Sequence, residues 1–132
     1  MLRDFIRTSK ALSDETRVRI MSLLTHNELC VCQLMEILSM GQSTVSKHLG
    51  ILKNAGLIEA EKRGTWSFYR LSRDKANRHS SGFIRILSSL PKDDPFMQND
   101  EKELKKVNKK GITFCSTIEL SRRLRERSNR AK

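Results

Sequence analysis

Between residues 31 and 71 the spacing of apolar residues changes once, from a helical period to a strand period, and that change leaves few folds open. Leu34, Ile37 and Leu38 recur at helical spacing over 31–38, and Val45, Leu49 and Leu52 recur at i, i+4 and i+7 over 42–55. Between them Ser39-Met40-Gly41 predicts a tight turn in which Gly41 takes positive φ. Gly56 stands where a helix C′ residue belongs. From Ile58 the pattern alternates, first Ile58, Ala60 and Lys62 against Glu59, Glu61 and Arg63, then Trp66 and Phe68 against Ser67 and Tyr69. With Gly64-Thr65 between the two runs, this predicts a β-hairpin closed by a glycine turn. Two short helices, a turn and a hairpin predict a helix-turn-helix followed by a wing.

The second of these helices turns its apolar residues inward and leaves Gln42, Ser43, Thr44, Ser46, Lys47 and His48 on its N-terminal, outward part. Gln pairs with adenine, Ser and Thr hydrogen-bond adaptably, and Lys reaches guanine or phosphate, so the segment is a candidate for reading duplex DNA. A solvated helix face is the plainer account of the same pattern. On the hairpin, Lys62, Arg63 and Arg70 are candidate phosphate contacts, with an exposed hairpin face as the alternative.

Charge supports a polyanionic partner. The 132 residues carry 26 Lys and Arg against 15 Asp and Glu, a formal net charge of +11. The excess is uneven, since residues 104–132 hold ten of the basic and two of the acidic residues. No run of eighteen apolar residues and no signal-peptide core is present, so a cytoplasmic protein without a membrane partner is expected.

Elsewhere, Phe5, Ile6, Ser9 and Leu12 predict an amphipathic helix over 2–12. Ser13 and Asp14 are N-cap types before a helix carrying Val18, Ile20, Met21, Leu23 and Leu24. Helical spacing resumes over 77–90 with Phe83, Ile84, Leu87 and Leu90, and together with the first helix this segment is expected to pair two subunits. The expected division is a winged helix-turn-helix DNA-binding and dimerisation domain over 1–90, a linker over 91–100 with two prolines and three aspartates, and a basic extension over 101–132. In that extension 116–119 resembles a capping box before a short basic helix, which orders only on binding a partner. The fold class is mainly α with a β-hairpin wing, in the order α-α-α-α-β-β-α, as a homodimer.

Three cysteines, Cys30, Cys32 and Cys115, suit thiol or ligand chemistry better than disulfides in a reducing compartment. In an ideal helix Cys30 and Cys32 lie about 200° apart, so the two sulfurs meet one ion only if the first helical turn unwinds. That unwinding is the expected route from a thiol ligand to the reading helix.

ALSDETRVRIMSLL, ELCVCQL, QSTVSKHLGILKNAGLI and RGTWSFYRL follow one another over residues 11–71, and their combination resembles, over roughly residues 2–90, the ArsR/SmtB family of metalloregulatory repressors, specifically its arsenic sensors. The resemblance implies a homodimer that holds a palindromic operator when free and releases it on binding As(III) or Sb(III). By the same resemblance Gln42, Ser43, Thr44, Ser46 and Lys47 face bases and phosphates, with His48 at the margin, and Cys30 and Cys32 are metalloid ligands. Two positions depart from the arsenic-sensor pattern: Met35 stands where a third cysteine is usual, and Gln33 where Asp is usual. As(III) favours three thiolates and a thioether is a poorer donor, so either two thiolates act with water or a small thiol, or Cys115 supplies the third. The family's carboxylate and histidine zinc site has only Asp74 and His79 as candidates here.

Two other DNA-binding accounts compete with a metalloid-released repressor. One is a thiol-redox sensor in which Cys115 pairs with Cys30 or Cys32, and the other an architectural binder held mainly by the basic tail. A Cd(II) or Pb(II) sensor of the same fold is a third variant. An enzyme is not expected, because no nucleophile with a base and orienting acid is evident.

Overall fold

A computed structural model of the chain describes residues 2–72, 80–90 and 93–110. Its elements in order are α1 (Leu2–Ala11), α2 (Glu15–Leu24), β1 (Leu29–Cys30), α3 (Val31–Leu38), α4 (Gln42–Asn54), β2 (Ile58–Arg63), β3 (Trp66–Leu71), α5 (Ser80–Ser88) and α6 (Pro95–Lys110). This is the expected winged helix-turn-helix with two additions, β1 and α6. Cys115, Asp74, His79 and the helix expected after 116–119 lie outside the described residues.

Local chemistry accounts for most element boundaries. Asp14 caps α2 by accepting from the Arg17 backbone N–H at 3.0 Å. At the other end of the helix-turn-helix, Gly56 (φ 75°) closes α4 as expected, its N–H donating to Lys53 O at 3.0 Å while Leu57 N–H donates to Leu52 O at 3.1 Å. The turn between α3 and α4 departs from expectation, because Ser39 and not Gly41 takes the left-handed conformation (φ 54°, ψ 46°). Gly41 is extended, at φ −71° and ψ 161°, as the N-cap of α4. The helix C-cap sets this choice, since the chain must reverse at the first residue after α3.

Ile20 and Met21 of α2, Leu34 and Ile37 of α3, and Val45, Leu49 and Leu52 of α4 are buried in one cluster. Each such side chain contributes about 1.5 to 3 kcal/mol on burial. Packing the apolar side of α4 this way fixes which side of the helix faces solvent.

The sheet order is β1-β3-β2, all antiparallel, with β3 central. Tyr69 and Leu71 of β3 pack on the core. Their cross-strand partners Ala60, Ile58 and Leu29 share that face, so Cys30, Phe68, Arg70, Glu59 and Glu61 share the other.

The expected linker over 91–100 is corrected at its second half, which is the start of α6. Asp94 caps this helix, accepting from Phe96 N–H at 2.9 Å and Met97 N–H at 3.3 Å, and Pro95 occupies the first helical position. Asp100 is buried and bound in two places by Arg19 of α2, at 2.7 and 2.8 Å, while Val107 joins the main core. A buried ion pair does more to fix orientation than to add net stability. α6 packs on α2 and α3.

Candidate nucleic-acid interface and thiol site

On α4 the buried residues are Val45, Leu49 and Leu52, whereas Gln42, Ser43, Thr44, Ser46 and Lys47 are exposed. Those five side chains form one polar surface at the N-terminal half of the helix. His48 is apart from them: its side chain is 16% exposed and its Nδ1 lies 3.3 Å from Arg17 Nη1 and 3.8 Å from Asp14 Oδ2. Arg17 is also fixed to the end of α1, donating from Nε to Ala11 O at 2.6 Å. His48 therefore ties α4 to the start of α2, a role that spacing along one helix does not reveal.

The wing places the three candidate phosphate contacts on different faces, as the alternation of Lys62 against Arg63 predicts. Lys62 is opposite Ser67 on the core side of the ribbon and is exposed near its tip, while Arg63 is opposite Trp66 on the other side. Arg63 pairs with Glu28 at 2.5 Å and with Glu61 at 3.0 Å, and its guanidinium lies 4.8 Å from the Phe68 ring centre. Arg70 pairs with Glu59 and Glu61, each at 2.7 Å, and stands 3.8 Å from Glu28. Arg63 and Arg70 hold the Glu61 carboxylate below its ordinary range, and the carboxylates in turn raise both arginines. Alternation alone does not single out Glu28, Glu59 and Glu61, although their strand register is what surrounds the two arginines.

Cys30 and Cys32 come together, against the expectation from helix geometry. Their sulfurs are 3.2 Å apart. Cys30 is the N-cap of α3, with extended φ −89° and ψ 168°, so it lies outside the helix that holds Cys32 and the 200° rule does not govern the pair. No unwinding is needed to bring the two together. Gln33 closes a capping box, its Oε1 accepting from the Cys30 N–H at 2.7 Å while its own N–H meets the Cys30 sulfur. A cysteine sulfur stands here where the oxygen of Ser or Asp usually caps. The hydrogen bond from Cys32 lowers the Cys30 thiol to about 6; burial opposes this, and the N–H groups of Gln33 and Cys32 reinforce it. Both cysteines are buried, at 1% and 0% exposure.

The pair is also part of the wing. Cys30 is opposite Phe68 and Leu29 opposite Tyr69 in the β1–β3 ladder, which sets Glu28 beside Arg70. Met35, one turn along α3 from Cys32, belongs to the hydrophobic core. Among the described residues no group of three or more Cys, His, Asp or Glu could hold a metal ion, and no helix is long and apolar enough to cross a membrane. Among the described residues the converging sulfurs are those of Cys30 and Cys32.

A winged helix-turn-helix with an exposed polar helix after the turn defines a class, the DNA-binding transcriptional regulators. The chain belongs to the arsR family of bacterial regulatory proteins, which its residues 14–60 match. It is 44% identical over 78 residues to the arsenical resistance operon repressor of Bacillus subtilis, covering 58% of this chain and 74% of that protein. It is 42% identical over 69 residues to a cadmium resistance transcriptional regulatory protein of Staphylococcus aureus, covering 52% of this chain and 57% of the relative. Among solved structures it is similar to the homodimeric winged helix-turn-helix DNA-binding domain of a possible ArsR-family regulator from Mycobacterium bovis, with TM-score 0.56 and 30% identity over 66% of this chain and 80% of that one.

Proposed function

We propose that this chain is a homodimeric transcriptional repressor that holds operator DNA through α4 and lets go when As(III) or Sb(III) binds Cys30 and Cys32. The observation that carries the reading is the 3.2 Å approach of two buried sulfurs at the start of the helix-turn-helix. Two sulfurs on one ion stand no more than two bond lengths apart, about 4.6 Å for metal–thiolate bonds of about 2.3 Å, so the pair fits a single soft ion. Bound there, such an ion would supply strong bonds to thiolate sulfur and draw the two donors into a fixed geometry. Cys115 is the proposed third donor, with water or a small thiol as the alternative.

The chain's own residues give the release a route. Cys30 belongs at once to the cap of α3 and to the ladder with β3, so any adjustment of its backbone is felt by the turn before α4 and by the wing. Glu28, two residues earlier, shares in holding Arg63 and Arg70. In the free protein Gln42, Ser43, Thr44, Ser46 and Lys47 meet bases and phosphates, with Lys62 on the wing beside them. Arg63 and Arg70 position the wing through their carboxylates.

Dimer formation is supported by apolar side chains left exposed on α1 and α5. Leu2, Phe5 and Ile6 of α1 and Ile86 of α5 are 43% to 73% exposed, and the rings of Phe5 and Phe83 meet at 5.8 Å. Relatives named for arsenical and for cadmium resistance both match, so Cd(II) is a competing inducer, and Pb(II), another soft divalent ion, is tested beside it. Fluorescence anisotropy on the promoter duplex upstream of the chain's own gene, titrated with As(III), Sb(III), Cd(II) and Pb(II), tests the reading. As(III) or Sb(III) is expected to release the wild type by about 5- to 150-fold and to leave the Cys30→Ser, Cys32→Ser variant bound. Retention of wild-type binding at saturating As(III) and Sb(III) would sink it.

A further inference from the structure

The exposed lysines of α6 play no part in the helix-turn-helix or the thiol pair. Lys102, Lys105, Lys106 and Lys109 are all exposed and recur at i, i+3, i+4 and i+7. At 100° per residue they fall within a sector of about 100°. Asp100 and Val107, the buried residues of the helix, point about 150° to 170° away from its centre. The Arg19–Asp100 pair thus fixes which side of α6 looks outward as well as where the helix docks. Carboxylates do little to neutralise the face. Glu103 meets Lys106 at 3.3 Å in an exposed pair, Glu101 lies at the stripe's edge, and residues 104–110 contain four lysines and no acidic residue. The helix packs on α2 and on α3, the first helix of the helix-turn-helix, so the lysines are carried on the same packed unit as the proposed DNA-facing surface.

We propose that this lysine face is a second DNA contact, taking phosphates of the duplex that flanks the stretch under α4. The proposal rests on the reading of the chain as a DNA-binding regulator. Charge complementarity selects the occupant: four ammonium groups at a helical pitch, with no hydrophobic side chain among them, suit a row of phosphates and offer nothing to read a base. Such a contact adds affinity without sequence preference. Lysines in the last turn also complement the helix dipole, and that role alone makes a different prediction.

The test is the slope of log affinity against log salt for the full chain and for its Lys102→Gln, Lys105→Gln, Lys106→Gln, Lys109→Gln variant. Each is measured on the duplex upstream of the chain's own gene and on a scrambled duplex of equal length. The slope is expected to fall by about 2 to 4 per protomer on both duplexes, at about 0.9 for each phosphate no longer neutralised, with the preference for the promoter duplex unchanged. The matching four-arginine variant is expected to keep the wild-type slope. An unchanged slope on both duplexes overturns the proposal, including when the glutamine variant melts at lower temperature, which is the signature of helix stabilisation alone. If the wild type shows no preference for the promoter duplex, the reading of α4 fails, while the slopes on the scrambled duplex still decide the lysine face.

Discussion

The proposed reading surface of α4 and the thiol corner at Cys30 are about a dozen residues apart in the chain and are built in opposite ways. α4 holds five polar side chains out in solvent, whereas the corner withdraws two thiols to 1% exposure or less and surrounds them with hydrogen bonds. A surface that meets a large polyanion gains its specificity from the partner and needs only correct orientation. A site for a small soft ion gains when its donors already converge, and here they converge in a buried place that ties them to their neighbours. Here those neighbours are the wing strand β3 and the cap of α3, so under the proposed function the corner and not the face of α4 would transmit the signal.

Substitutions in α4 put this contrast under the most strain. Gln42→Ala and Lys47→Ala are each expected to cost about 1 to 3 kcal/mol of operator affinity with no change in melting temperature. The glutamine change should relax discrimination between sequences, and the lysine change should lower the salt slope by about one. A shift in melting temperature comparable to the fall in affinity would mean that these side chains belong to the fold after all.

At the corner, acid should have the next largest effect. With Cys30 lowered to about 6, it is mainly thiolate at pH 7 and is protonated as pH falls through 6. Affinity for a divalent ion such as Cd(II), whose binding releases the thiol protons, is then expected to drop at least about tenfold per unit below that point, whereas As(III), bound from As(OH)3 with each thiol proton leaving as water, is expected to show no such drop. The same sign governs stability: a lowered thiol stabilises the folded state above the ordinary cysteine value, and this contribution is lost as pH falls through about 6. Thiolate absorbance near 240 nm checks the titration, and a midpoint at the ordinary thiol value would remove the cap as an activator.

Glu28→Gln probes the link between the corner and the wing. It keeps the side chain's size and removes the charge facing Arg63 and Arg70. Ligand-induced release of DNA is expected to shrink by about 2- to 5-fold while ion affinity stays the same. Equal release in the variant would confine the signal to α3 and its turn. The smallest effect is expected at the turn itself, where Ser39→Gly relieves a left-handed serine and should stabilise the fold by about 0.5 to 1 kcal/mol in denaturant unfolding, with DNA binding unchanged.

Local pattern is enough wherever one element determines itself. Leu34, Ile37 and Leu38, then Val45, Leu49 and Leu52, define two helices and the outward side of α4, and Gly64 marks the hairpin turn. Pattern fails where a partner far along the chain decides. It misses α6 despite the Asp94-Pro95 cap and first-turn signal, because a largely charged segment becomes a docked helix through distant partners, Asp100 meeting Arg19, 81 residues away, and Val107 entering the core. His48 looks like one more outward residue of α4 until Arg17 and Asp14 claim it.

The stretch around Cys30 shows the division most sharply. The residues themselves determined that two thiols stand one residue apart, just ahead of a helix-turn-helix, because composition and spacing are local facts. Tertiary structure decided that they converge. β1 is only two residues long and exists through its ladder with β3, and that pairing keeps Cys30 extended at the cap and outside α3. A backbone conformation imposed by a strand nearly forty residues away cannot be read from helical periodicity, and it turned an expected unwinding into a pair of thiols already brought together.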